Sequence, residues 1–198
     1  MHRRALTVIL VIAVVVFSWL LFIGLPRYAA SKPASPTPGP QATVPALATG
    51  PATAARKITA TLFYVGDDGL TLVGAPREVD FADGVAPQAR EIIEAQLGPA
   101  APRVSAIPAD TRLRDVFVTE RGDAFVDLSV EVSTHHSGGA LDELLTIYTI
   151  VDALTVNLPA ITRVQILIDG KEVETLAGHV DLRHPLAKSL QWVAHDTH

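Results

Sequence analysis

The chain has 198 residues and no cysteine, which excludes disulfides, thiolate zinc sites, a cysteine nucleophile and a lipidated N-terminal cysteine. Its length accommodates one domain with accessory segments, or two small domains. The net charge of −5 is unevenly spread: every Asp and Glu lies at or after Asp67, and from Lys57 onward eleven basic residues face 21 acidic ones, a balance of −10 that argues against a nucleic-acid partner.

Residues 1–4 form a short basic segment, read as a cytoplasmic N-terminus. Residues 5–25 carry no charge over 21 positions, a length that spans roughly 30 Å as a helix, the thickness of a bilayer core. Trp19 and Phe22 near its far end suit the membrane interface. The rival reading, a cleaved signal peptide, expects an apolar core of about 7–15 residues and then an A-x-A-like site. Here the run is longer, and Tyr28 falls where a small residue is wanted before Ala29, Ala30 and Ser31. The sequence therefore favours a single-pass plasma-membrane anchor, with the body of the protein outside the cytoplasm. Residues 26–56 are rich in Pro, Ala and Thr and read as a semi-extended tether, not as a proline-recognition ligand.

Globular texture begins at Lys57, and 57–198 is expected to be the extracytoplasmic domain. Residues 58–65 alternate as a strand, 66–69 (Gly-Asp-Asp-Gly) are turn chemistry, and 70–73 read as the return strand of a hairpin. The Asp67-Asp68 pair lacks the spaced acids of a calcium loop and is read as a solvated turn. Residues 78–81 extend the sheet. A first helix has Pro87 near its start and Ala89, Ile92, Ile93, Gln96 and Leu97 on one face, and ends at Gly98-Pro99 with glycine in the left-handed cap. Strands at 113–119 and 124–132 are joined by a hairpin-type link at 120–123. After the polar link 133–139 comes the longest element, a helix from Leu141 that is apolar over more than half its circumference. Asp142, Thr146, Thr149, Asp152 and Thr155 form its narrow polar stripe, and Asp142 and Glu143 lie in its first turn, where the helix dipole favours negative charge. An alternating strand at 164–168 leads to Asp169-Gly170, the sharpest turn signal in the chain. The tail carries Val180, Leu182, Leu186, Leu190 and Trp192, enough to dock on the body. The expected class is α/β (α+β): two helices packed on a small mixed sheet with hairpins, preceded by one transmembrane helix.

In order and spacing, TLFYVGDDGLTLV, EIIEAQLGP, IPADTRL, AFVDLSVE, TIYTIVDALTVNLPAITRVQILIDGK and LAGHVDLRHPL resemble the GerMN domain, first named from sporulation and spore-germination proteins. The resemblance covers residues 57–186. It implies a fold similar to ring-building motifs and a non-catalytic envelope module whose partners are envelope proteins, a cell-wall amidase or the protein itself. This chain departs from lipoprotein members of the family by having no Cys, and it carries one domain copy.

Candidate chemistry is sparse. His135 and His136 are adjacent and point apart in an extended segment, so they do not share an ion. His179 and Asp181 share a face, with His184 nearby, which is half of a hydrolase triad, but no G-x-S-x-G or H-E-x-x-H accompanies them. Asp127 and Glu131 on one strand would stand roughly 13 Å apart, too far for paired-carboxylate catalysis. Arg112, Arg114 and Arg121 are interleaved with Asp115, Glu120 and Asp123 and read as a solvated sheet edge. No catalytic, cofactor-binding or metal-binding residue is assigned. The expected function is a membrane-anchored scaffold or interaction module of the cell envelope, with a peptidoglycan-binding or wall-hydrolase accessory role as the alternative.

Overall fold

The computed structural model describes residues 56–194. The expected cytoplasmic segment, the membrane segment, the linker up to residue 55 and the last four residues lie outside them. Among the described residues no helix is long and apolar enough to cross a membrane.

The fold is mixed α+β, with the strands divided between two sheets instead of the single sheet expected. Strand β1 (Lys57–Val65) pairs antiparallel with β2 (Leu72–Asp80) over all nine residues, from Lys57 opposite Asp80 to Val65 opposite Leu72. Asp68 closes the turn between them, its Oδ1 accepting the N–H groups of Leu70 (2.8 Å) and Thr71 (3.1 Å). The pieces read from sequence at 70–73 and 78–81 are thus one strand. Gly74 and Pro76 hide it, because a proline inside a run reads as a break unless it lies at an edge, where no N–H is required.

Helix α1 (Val85–Leu97) buries Gln88, Ala89, Ile92, Ile93 and Gln96. The Gln88 amide stands in for a missing cap, accepting from Ala82 N–H and donating to the Asp80 carbonyl, both at 3.0 Å. Gly98 follows at φ −68°, so the left-handed cap expected from sequence does not form. Pro99 is sufficient to end the helix.

The second sheet begins with β3 (Leu113–Val118) and β4 (Asp123–Leu128), an antiparallel pair with a register shift at Arg114. Gly122, at φ +82°, packs so tightly that a Cβ there would lie 2.6 Å from the Ala160 carbonyl oxygen. The strand expected to run to Val132 stops at Leu128. Ser129 makes the last rung, exchanging hydrogen bonds with Arg112, and the chain then turns into a one-turn helix α2 (Glu131–Thr134). Helix α3 (Ala140–Asn157) crosses over to β5 (Arg163–Ile168), which lies parallel to β4. Asp169 (φ 50°) and Gly170 (φ 75°) both take positive φ and form the two-residue turn that their dipeptide signals, leading to β6 (Lys171–Glu172). The short β7 (Leu186–Ala187) pairs with the other end of β5, and a 3₁₀ turn, Leu190–Trp192, follows. Among the described residues there are therefore three α-helices rather than two.

One core joins the layers. Ile147, Ile150 and Leu154 of α3, Ile92 and Ile93 of α1, and Val126, Leu128, Val164 and Ile166 of the second sheet are all at most 1% exposed. The hairpin docks on the ends of α1 and α3 through side-chain amides. Asn157 accepts from Thr61 N–H at 2.8 Å and donates to Thr61 C=O at 2.7 Å. Gln96 does the same for Phe63, at 2.9 and 2.8 Å. Residues two apart on a strand turn their peptide groups to the same edge, so the two carboxamides fill the places of a neighbouring strand. This is why the hairpin and the larger sheet stay separate.

Candidate functional site

The polar residues singled out by sequence are dispersed. His179 does not pair with Asp181: its Nδ1 lies 3.0 Å from Oε2 of Glu143, at the start of α3. Asp181 turns to Arg183, which donates from Nε (2.9 Å), Nη2 (2.7 Å) and its backbone N–H (3.0 Å), and the guanidinium and N–H hold the carboxyl far below the usual range. The half-triad therefore does not assemble. His136 Nε2 meets Thr146 Oγ1 at 3.2 Å while its Nδ1 accepts Gly138 N–H, and His135 faces Asp110 at 3.8 Å, so the two histidines work in different places. Glu131 leaves the strand of Asp127 and pairs with Arg112 across 3.5 Å. Asp127 accepts from Arg114 Nε (3.1 Å) and Gly170 N–H (2.7 Å), fastening the Asp169-Gly170 turn to β4. Arg121 stays at the surface, its Nε 4.0 Å from Asp123.

Two ionisable groups of α3 are fully buried, and both lie on the helix that organises the core. Oε1 of Glu143 accepts the N–H groups of Leu176 (2.8 Å) and Ala177 (2.9 Å), and Oε2 accepts His179 N–H (2.8 Å) besides the ring. Burial works to raise its pKa, but the donors from Ala177, His179 and Val180 outweigh burial and hold it below the ordinary Glu value. With its acceptor sites filled from within the chain, this carboxylate organises the loop and offers little to a substrate. Sequence reasoning missed that role. The available signal was that Glu143 heads the same helical face as Ile147, Ile150 and Leu154, where a charge needs partners. Asp152 is the opposite case. Only Oδ1 is engaged, by Ser189 N–H at 3.0 Å, and Oδ2 has no hydrogen-bond partner among the described residues. Burial therefore dominates and pushes its pKa up to about 6.

A concave surface with apolar side chains beside it lies at the tip of the hairpin. A groove of about 560 Å³ runs between the β1–β2 turn and the segment at Pro102, Arg103 and Val104. Val104 is 63% exposed there, and Leu70, next to the Gly69 that lines the groove, is 60% exposed. The groove is braced by Val65 N–H donating to the Val104 carbonyl at 2.9 Å and by the Arg103 guanidinium 5.6 Å from the centre of the Tyr64 ring. Sequence reading assigned Leu70 to the return strand, which marks no exposed apolar surface. Among the described residues no cluster of His, Asp and Glu has the geometry to hold a metal ion.

The family profile described as "Germane: Sporulation and spore germination" matches residues 61–174, from β1 to the loop after β6. The chain belongs to this family. Among solved structures, the tandem GerMN domains of the sporulation protein GerM from Bacillus subtilis are similar at 17% identity and a TM-score of 0.53, over 67% of this chain and 46% of that one. That likeness is one of fold. The first GerMN domain of the same protein (17% identity, TM-score 0.45, 66% of this chain and 95% of that one) and a candidate lipoprotein from Clostridium perfringens (25% identity, TM-score 0.49, 67% and 88%) are also similar. Comparison with curated protein sequences returns no significant match. The family profile ends at Glu174, so Glu143 lies inside the matched GerMN core while its loop partners from Leu176 to His179 lie just beyond it.

Proposed function

We propose that this protein is a membrane-anchored, extracytoplasmic, non-catalytic interaction module of the bacterial cell envelope, and that its GerMN domain docks an envelope partner through the groove at the hairpin tip. The observation that carries the reading is the pairing of Leu70 and Val104: two large apolar side chains, each more than half exposed, beside one open groove. Exposed apolar surface gathered at a concavity is a mark of protein contact sites. Family membership and the apolar segment at 5–25 support the location. The buried carboxylate of Glu143 and the ion pairs of Asp123 with Arg163 and Asp127 with Arg114 are spent on holding the fold, which suits a module that binds and does not turn over substrate.

The test is cross-linked affinity purification of the full-length protein from membranes, comparing the natural chain with a Leu70→Asp, Val104→Asp double variant. The reading expects envelope proteins, a wall amidase among the candidates, or additional copies of the chain, recovered with the natural protein and lost with the variant while thermal stability is unchanged. Equal recovery from both would remove the groove from the proposal. Recovery of wall fragments alone would favour a peptidoglycan-binding role.

A further inference from the structure

The last described segment, residues 186–194, crosses α3 and ties the two sheets together. At one end β7 pairs with Arg163 and Val164 of β5. At the other, Val193 bridges to Leu72 of β2 and Ala194 N–H donates to the Leu72 carbonyl at 2.7 Å. Between these points the 3₁₀ turn packs against α3, and the Ser189 N–H donates to Asp152. Leu186, Trp192 and Val193 pack against the core, and the segment also lies over polar groups of α3. The Thr149 hydroxyl, one turn before Asp152 on the same stripe, is buried with no hydrogen-bond partner among the described residues, as are Oδ2 of Asp152 and Nε1 of Trp192 in the turn itself.

We propose that residues 186–194 form a strap that is latched over α3 when the Asp152 carboxyl is protonated and released when it ionises. The geometry gives the direction. One carboxyl oxygen takes the Ser189 N–H in either state, but the second has no donor facing it among the described residues, so a negative charge there is stranded in the interior while the strap is closed. Lifting the strap admits water to that oxygen. Among the described residues of the elements packed on α3, namely β1, α1, β5 and the strap, only the strap brings a charged neighbour to Asp152, the ammonium of Lys188, which favours the ionised form without offsetting burial. Tyr148, one turn back on α3, is the other titratable group coupled to it. Release uncovers the Leu72 carbonyl at the edge of β2 and the Thr149–Asp152 stripe.

A group that titrates about two units higher with the strap closed than with it open makes opening roughly tenfold more favourable at pH 7.5 than at pH 5. Hydrogen exchange of residues 186–194 in the full-length chain, read by mass spectrometry and corrected for the intrinsic pH dependence of exchange, measures this. The natural protein is expected to lose protection in the strap about tenfold between pH 5 and 7.5. Asp152→Asn keeps the acceptor for Ser189 N–H and cannot ionise, so its strap should be equally protected at both pH values. Lys188→Gln, at an exposed position, should move the midpoint of release to higher pH. Protection of the natural strap that does not change with pH overturns the proposal. So does a pH response that survives in Asp152→Asn, which would place the titration elsewhere.

Discussion

At the scale of single residues, the two buried carboxyls of α3 make opposite demands on pH. Glu143 is held below its ordinary value, so its contribution to stability is complete above its unfolded-state pKa of about 4.3 and is lost as the pH falls through its lower folded value. Asp152 is raised to about 6, so its contribution is complete below the unfolded value of about 3.9 and is lost as the pH rises through 6. Replacing Glu143 by Gln puts an NH₂ group against backbone N–H donors. We expect a loss of about 3 kcal/mol at neutral pH and a weaker acid dependence, measured by urea unfolding at several pH values. Asp152→Asn should instead stabilise the protein at pH 7.5, by up to about 3 kcal/mol, and do little at pH 4. A destabilised Asp152→Asn at pH 7.5 would mean that the Lys188 ammonium outweighs burial at this carboxyl.

At the scale of elements, the hairpin is held by two carboxamides in place of a strand. Removing either leaves one N–H and one C=O of β1 without a partner. Phe63 is buried and Thr61 half-buried, so water can replace the Asn157 contacts more readily than those of Gln96. Gln96→Leu is therefore expected to cost about 3 kcal/mol and Asn157→Leu about 1–2 kcal/mol, from chemical denaturation midpoints. The reverse order would show that the end of α3, not α1, bears the hairpin. These clamps are also what single-sequence reading could not see, because they join residues 33 and 96 positions apart. Local signals fared better. The alternation through β5 and the Asp169-Gly170 turn are set by neighbours in the chain, and both appear where their residues put them. The sequence divides β2 in two because Gly74 and Pro76 carry turn chemistry whose edge position only the pairing reveals.

For the whole molecule, the long apolar helix is the centre that its composition announces, although its polar stripe beyond Asp142 does not face solvent. Thr146, Thr149, Asp152 and Thr155 are all buried, with the strap over Asp152 and the segment at Ala106 accepting from Thr146 at 2.6 Å. Periodicity locates a stripe; it does not tell water from a covering segment. The same limit applies to the candidate site, where His179 was marked but its true partner, Glu143, stands 36 residues away. Since one core spans both sheets, Leu154→Ala at its centre should cost about 3 kcal/mol in a single cooperative transition, while Leu190→Ala, at 42% exposure, should stay within about 0.5 kcal/mol. Two separate transitions in the Leu154→Ala variant would mean that the hairpin and the larger sheet fold apart.

The position of β1 also bears on tension. The chain enters the described domain at Lys57, and Val65, at the other end of the same strand, lines the groove. A pull between the N-terminal side of the chain and anything gripping the hairpin tip would run along one strand of nine residues. That strand is already extended and held in place sideways by β2 and by two side-chain amides, so the load passes along its covalent backbone and its lateral bonds lie off the path. The helices and the larger sheet would be spared the strain, and the domain could be tugged from its tip without being unravelled.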